Sequence, residues 1–180
     1  MSSTYNTASS AQAAKPKDQR VIAFVISALV VLIDRVTKHI VAKQLPFGQA
    51  HTVIPGVFRI TDVHNTGAAF SMFAENASPE MVRDLLIGFS VIAVLVLFAM
   101  LMRTGRYLSV TSVALALILG GAFGNLYDRI RYHYVIDFLE VHIVHYHWPD
   151  FNVADSCIVI GAGLLLIEIF RPQPGNGTLA

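Results

Sequence analysis

Leu85–Met102 reads LLIGFSVIAVLVLFAMLM, eighteen residues without a charge. A bilayer-crossing helix takes about 20 predominantly apolar residues, so this run is long enough to span with little tilt. After a short turn holding Arg103 and Arg106, Leu108–Leu126 repeats the signal with nineteen uncharged residues. Upstream, Val21–Ile33 is apolar except for Ser27 and runs on into the charged segment Asp34–Leu45. Downstream, Asn152–Phe170 carries Asp155 near its start and Glu168 near its end. The pattern predicts an α-helical integral membrane protein with four transmembrane helices in one domain over 21–171. A disordered, cytoplasmic N-terminal tail over 1–20 precedes it, and a short C-terminal tail over 172–180 follows.

Composition agrees. The chain is 54% hydrophobic and 14% charged, against about 25% charged residues in ordinary soluble domains. A net charge of +1 supplies no basic field for nucleic acid. The single cysteine, Cys157, excludes an intramolecular disulfide. No small-residue cleavage site follows the Val21 run, where Asp34, Arg35 and Lys38 appear instead, so it reads as a retained helix.

Orientation follows from the short flanks. Lys15, Lys17, Arg20, Arg103, Arg106 and Arg171 fall on one side, which the positive-inside rule makes cytoplasmic. Both termini are then cytoplasmic, and the long loops near 46–84 and 127–151 face outward. In the first loop, β-branched residues around Pro55-Gly56 predict a small antiparallel sheet between helices 1 and 2. Ser78-Pro79-Glu80 predicts a short helix near Ser78–Asp84.

The chemistry concentrates in two acids, Asp137 and Asp155, neither with an adjacent lysine or arginine. A carboxylate near lipid costs about 2.5–3.5 kcal/mol at a helix centre, so such groups usually have a job. Asn152-Val153-Ala154-Asp155 also reads as a helix cap, and the two readings use the same helix-dipole physics. Asp137 lies between Ile136 and Phe138, where poor solvation favours a raised pKa; alone it also reads as a surface acid or a partner of Arg129 or Arg131. Asp128 has Arg129 beside it and reads as half of a structural ion pair. Asp34 and Lys38, four apart on one helix face, read equally as a snorkelling interfacial pair or as part of the chemistry. Gly120 and Gly124 form a small-xxx-small spacing that admits another helix closely. Asn65-Thr66-Gly67 makes a polar turn before Ala68-Ala69-Phe70, suited to close backbone approach.

His142, His145 and His147, with His133 nearby, raise the question of zinc. HExxH is absent, and Glu140–Trp148 alternates like an interfacial strand ending at a Trp anchor, so no metal and no cofactor is expected. Cys157, inside an apolar helix, is a poor nucleophile.

Five motifs now stand in order: Asp34-Arg35-Val36-Thr37-Lys38, Asn65-Thr66-Gly67-Ala68-Ala69-Phe70, Gly120 to Asn125 with Asp128-Arg129, Val135-Ile136-Asp137-Phe138, and Phe151-Asn152-Val153-Ala154-Asp155-Ser156. Across roughly 21–170 the chain resembles lipoprotein signal peptidase, the bacterial signal peptidase II. The resemblance implies an aspartic endopeptidase of the bacterial inner membrane. Such an enzyme removes signal peptides from prolipoproteins, cutting just before a cysteine that already carries diacylglycerol. It assigns the catalytic pair to Asp137 and Asp155. Asp34, Lys38, Asn65, Gly67, Asn125, Asp128, Arg129 and Asn152 fall at substrate-binding or supporting positions. The implied partners are diacylglyceryl-modified prolipoproteins and membrane lipid, with a monomer as the working unit.

Two other classes compete. A proton-coupled transporter would use Asp34, Asp137 and Asp155 as a relay, but the second and third spans carry no charge and no inverted repeat is visible. A non-catalytic assembly subunit would explain the glycines but not two unpaired outer acids.

Overall fold

The computed structural model describes residues 18–67 and 78–171. The two tails and the Ala68-Ala69-Phe70 segment fall largely or wholly outside them. Four long helices emerge: α1 (Arg20–Gln44), α2 (Pro79–Thr104), α3 (Val110–Tyr132) and α4 (Val153–Phe170). Of these, α2, α3 and α4 are long and apolar enough to cross a membrane. The fourth, α1, has 25 residues, about 37 Å at 1.5 Å per residue, and apart from Arg20 at its start carries its charges in the second half.

Local chemistry sets the boundaries. Ser78 caps α2, its side chain accepting from the Met81 N–H at 3.2 Å, with Pro79 entering the first turn. The short helix expected near Ser78–Asp84 is therefore the first part of α2 itself, because nothing after Asp84 stops it. Ser109 and Ser112 form a reciprocal capping box at the start of α3. At its end His133 adopts a left-handed conformation, φ 69°.

Helix α3 is the hub, packing against α1, α2 and α4. Its glycines make this possible. A Cβ on Gly120 would lie 2.7 Å from the Ser27 carbonyl oxygen of α1, and one on Gly121 would collide with the Ala154 carbonyl of α4. The small-xxx-small reading of Gly120 and Gly124 is thus an α1–α3 contact, reinforced where Ser27 Oγ donates to the Ala116 carbonyl at 2.8 Å. Leu101, Leu115 and Leu119 fill the core between helices. The outward faces are apolar too: Phe89, Val159 and Ile169 are about 70% exposed or more. A soluble domain would not leave such faces bare.

The sheet corrects the expectation in one respect. It has four antiparallel strands in the order β1 (Ala50–Ile54), β2 (Phe58–Asn65), β3 (Val135–Ile143) and β4 (Tyr146–Phe151). Only half of it comes from the loop between the first two helices. The loop between α3 and α4 supplies the rest, because β2 finds its second partner in β3. Glu140–Trp148 is likewise not one strand. Val144, at φ 58°, turns the chain so that His142 pairs across to His147.

Candidate functional site

The site forms where the sheet meets one end of the helix bundle. Asn65 lies opposite Val135 in the β2–β3 ladder, on the same face as Asp137 and diagonal to it. Its Nδ2 donates to Asp137 Oδ2 at 2.9 Å, while its Oδ1 accepts from the Gly67 N–H at 2.9 Å. Gly67, at φ 81°, closes this small turn against Leu86, a geometry that excludes a side chain.

Asn152 binds Asp137 from the other side, Nδ2 donating to Oδ1 at 2.7 Å. The same amide group reaches the Ile136 carbonyl and Asn125 Oδ1, each at 3.2 Å. Asn152 is also the N-cap of α4. Its Oδ1 accepts from the Asp155 N–H at 2.9 Å, and its own N–H donates to Asp155 Oδ2 at 3.2 Å. The capping and functional readings of Asp155 thus coexist, since Asp155 Oδ1 remains available and accepts from Asn125 Nδ2 at 2.7 Å.

Asp137 and Asp155 are therefore gripped by three asparagines. Among the described residues, no lysine or arginine nitrogen lies within 4 Å of either carboxylate. Burial raises the Asp137 carboxyl to about 7, opposed by the hydrogen bond from Asn65 and reinforced by the charge of Asp155. Arg129 stands within electrostatic reach of both acids and lines a 330 Å³ cavity with Asn125, Asp155, Leu86, Phe89 and Ile158. On the other side of Asp155, Trp148, Phe151, Val159 and Ile160 wall an apolar pocket of 410 Å³.

Directly beneath lies a second polar cluster. Lys38 Nζ is 2.9 Å from Asp34 Oδ2 and 2.7 Å from Asp128 Oδ2, and it donates to Asn125 Oδ1 at 3.1 Å. Arg35 pairs with Asp128 Oδ1 while stacking over the Tyr127 ring at 4.4 Å. Asp34 Oδ1 accepts from the Ala154 N–H at 3.1 Å, one of the donors that the first turn of α4 leaves without a partner in the helix. Two expectations change here. Asp34 and Lys38 do not snorkel, because both side chains are fully buried. Asp128 pairs with Arg35 and Lys38 rather than with Arg129, since a neighbour along the helix points to a different face. Sequence reasoning passed over Arg35; its place in the Asp34–Lys38 motif was the available signal. Cys157 sits half-buried in α4.

A sequence profile of the Signal peptidase (SPase) II family matches residues 26–171. A lipoprotein signal peptidase of Pseudomonas putida is 46% identical over 149 residues, covering 82% of this chain and 86% of that protein. One from Alteromonas mediterranea is 44% identical over 146 residues, covering 81% and 79%. A solved bacterial membrane enzyme superposes with a TM-score of 0.78 at 30% identity, covering 88% of this chain and 99% of the other. With the profile spanning most of the chain and relatives this similar, the chain belongs to the signal peptidase II family.

Proposed function

We propose that this protein is a membrane-embedded aspartic endopeptidase that removes the signal peptide from diacylglyceryl-modified prolipoproteins, cutting just before the lipid-bearing cysteine. One observation carries the reading: two acids, Asp137 and Asp155, converge from a strand and a helix start under amide donors alone. Two close carboxylates with no cation in contact with either hold one proton between them. That is the state needed to hydrolyse an amide without a metal or nucleophilic side chain. The names of the relatives point to the same substrate class.

The chemistry is direct hydrolysis. The ionised aspartate takes a proton from water as the water oxygen attacks the scissile carbonyl carbon. The protonated aspartate gives its proton to the carbonyl oxygen. The tetrahedral gem-diol collapses, returning a hydroxyl proton to one carboxylate while the other protonates the departing amine. The pair ends with one shared proton, and the titration belongs to the pair.

Substrate placement follows from the two cavities. The apolar pocket beside Trp148 and Val159 suits acyl chains, and the cavity between α2, α3 and α4 suits the peptide next to the cut. Arg129, in that second cavity, would bind backbone carbonyls. With α1 as a fourth span and the termini cytoplasmic, the site lies at the extracytoplasmic face of the inner membrane, where water meets a lipid-anchored substrate. A monomer suffices, because every residue named belongs to one chain.

The test is a size-shift assay. Purified protein in detergent is incubated with a diacylglyceryl-modified prolipoprotein, beside Asp137→Asn and Asp155→Asn. Cleavage abolished by either substitution and indifferent to a chelator is the expected result. Full activity in either variant would overturn the reading.

A further inference from the structure

The proposed chemistry leaves the outer end of the sheet unused, and the polar groups there converge unusually. His142 on β3 and His147 on β4 are direct cross-strand partners, with ring centroids 5.0 Å apart. Both turn Nε2 toward one atom, Oε1 of Glu140, at 2.8 and 3.0 Å. Glu140 is itself only 3% exposed. It lies opposite Arg59 of β2, whose Nε donates to Oε2 at 2.7 Å and whose Nη2 reaches Oε1 at 2.5 Å.

Three nitrogens crowd one carboxylate oxygen that has two lone pairs. Putting one cation in place of the two imidazole protons resolves the crowding. Each neutral imidazole then offers its Nε2 lone pair, and Glu140 Oε1 offers one of its own. We propose that Glu140, His142 and His147 bind a single zinc-type divalent transition-metal ion on the outer face of the sheet.

The spacing fits. The three ligand atoms lie within 4.8 Å of one another. Bonds of 2.0–2.1 Å in a tetrahedral site put neighbouring ligand atoms about 3.3 Å apart, so the present separations need only a small opening. Two imidazoles and one carboxylate are a borderline ligand set, suited to Zn²⁺ and its neighbours and poorly suited to Ca²⁺ or Mg²⁺. Arg59 holds Oε2 through Nε and shares Oε1 through Nη2, leaving Oε1 one lone pair for the ion and orienting the carboxylate as outer-shell partners of metal ligands do. Asp150 adds a second negative charge, its Oδ1 3.5 Å from His147 Nε2 and without a hydrogen-bond partner among the described residues. His147 is half-exposed, so an ion can enter from solvent and water can take the fourth position. The turn at Val144 makes this visible only in three dimensions. Read as a continuous strand, the histidines carry no such geometry.

Bound there, the ion would staple β3 to β4 on the strand that carries Asp137. It takes no part in the hydrolysis, so the site is tested without turnover. The full-length protein, stripped of metal in detergent micelles, is titrated with Zn²⁺ by calorimetry. Beside it run His142→Gln, His147→Gln and, as a control in the turn, His145→Gln. The expectation is one saturable site per chain, weakened at least about 100-fold by either of the first two changes, beyond the usual cost of losing an outer-shell partner. The control should bind like the wild type. Because the substitutions could unsettle the hairpin, Co²⁺ added to the wild type gives a second readout, the intense visible bands of a tetrahedral site. No saturable binding, binding that survives both substitutions, loss in the His145 control, or a Co²⁺ spectrum like that of the free ion would each overturn the proposal.

Discussion

Two pairs of carboxylates, all buried except the half-buried Asp155, lie side by side in this protein, and they are partnered in opposite ways. Asp34 and Asp128 are answered charge for charge by Lys38 and Arg35. Asp137 and Asp155 are answered only by the amides of Asn65, Asn125 and Asn152. The first arrangement ties α1 to α3 and to the start of α4 through paired charges. The second satisfies the oxygens with no cation in contact, and burial raises the Asp137 carboxyl to about 7. Cations hold structure here, whereas burial keeps a proton in play and the amides temper it. Asn125 joins the two: Lys38 takes its oxygen, which turns its NH₂ toward Asp155.

The largest effect should come from removing the proton chemistry without disturbing the cage. Asp137→Asn is nearly isosteric and should lower the cleavage rate about 10³-fold or more, within the range that general acid–base groups supply. Its unfolding in detergent should shift little, because an amide on a buried strand avoids the desolvation that the carboxylate suffers. A large loss of stability in this variant would erase the distinction between the two groups.

The charged group should behave in reverse. Lys38→Met leaves Asp34 without its ammonium partner and Asp128 with Arg35 alone, and breaking a buried pair from one side costs about 3–5 kcal/mol. Chemical unfolding in mild detergent measures it. The double change Asp34→Asn with Lys38→Met should recover part of the loss, since it removes an orphaned charge.

The pH dependence sharpens the contrast. The folded Asp137 carboxyl titrates near 7 and the unfolded one near 3.8. Between those values the folded state binds the extra proton, so this group's contribution to stability falls as pH rises from about 4 to about 7 and is flat above. The cleavage rate should likewise fall as pH passes through about 7 and the shared proton is lost. Asp137→Asn should flatten its own part of the stability profile, whereas Lys38→Met removes a charge that lowers the Asp137 pKa and should extend that part toward higher pH. Unfolding midpoints from pH 4 to 8 test both.

Much of this was legible in the chain. Long uncharged runs gave the apolar helices, and Gly120 with Gly124 gave a close helix contact, because both signals are local and periodic. Asp137 and Asp155 stood out because no base adjoins them. What stayed hidden depends on long-range pairing. Nothing near His51–Asn65 announces that its second β partner lies some seventy residues on, so the sheet was read as half its size. Asp128 was given to Arg129 by adjacency, yet α1 supplies its partners. The buried state of Asp34 and Lys38 follows from the close α1–α3 approach that Gly124 permits, where a Cβ would sit 2.7 Å from Asp34 Oδ2.

The smallest and most discriminating change is Asn152→Ser. Serine is as good an N-cap as asparagine, so the start of α4 should be nearly unaffected and the stability loss about 1 kcal/mol, the worth of the lost amide hydrogen bonds. What serine cannot do is reach Asp137 with an NH₂ group. That donor favours the ionised carboxylate, and without it Asp137 should hold its proton to higher pH. The falling limb of the cleavage profile should therefore move toward alkaline pH while the maximal rate drops only modestly. A profile that keeps its limb and loses only height would mean that Asn152 merely positions α4. A shifted limb would mean that the amide cage tunes the proton affinity of the pair, while the cation cluster beneath it ties the helices together.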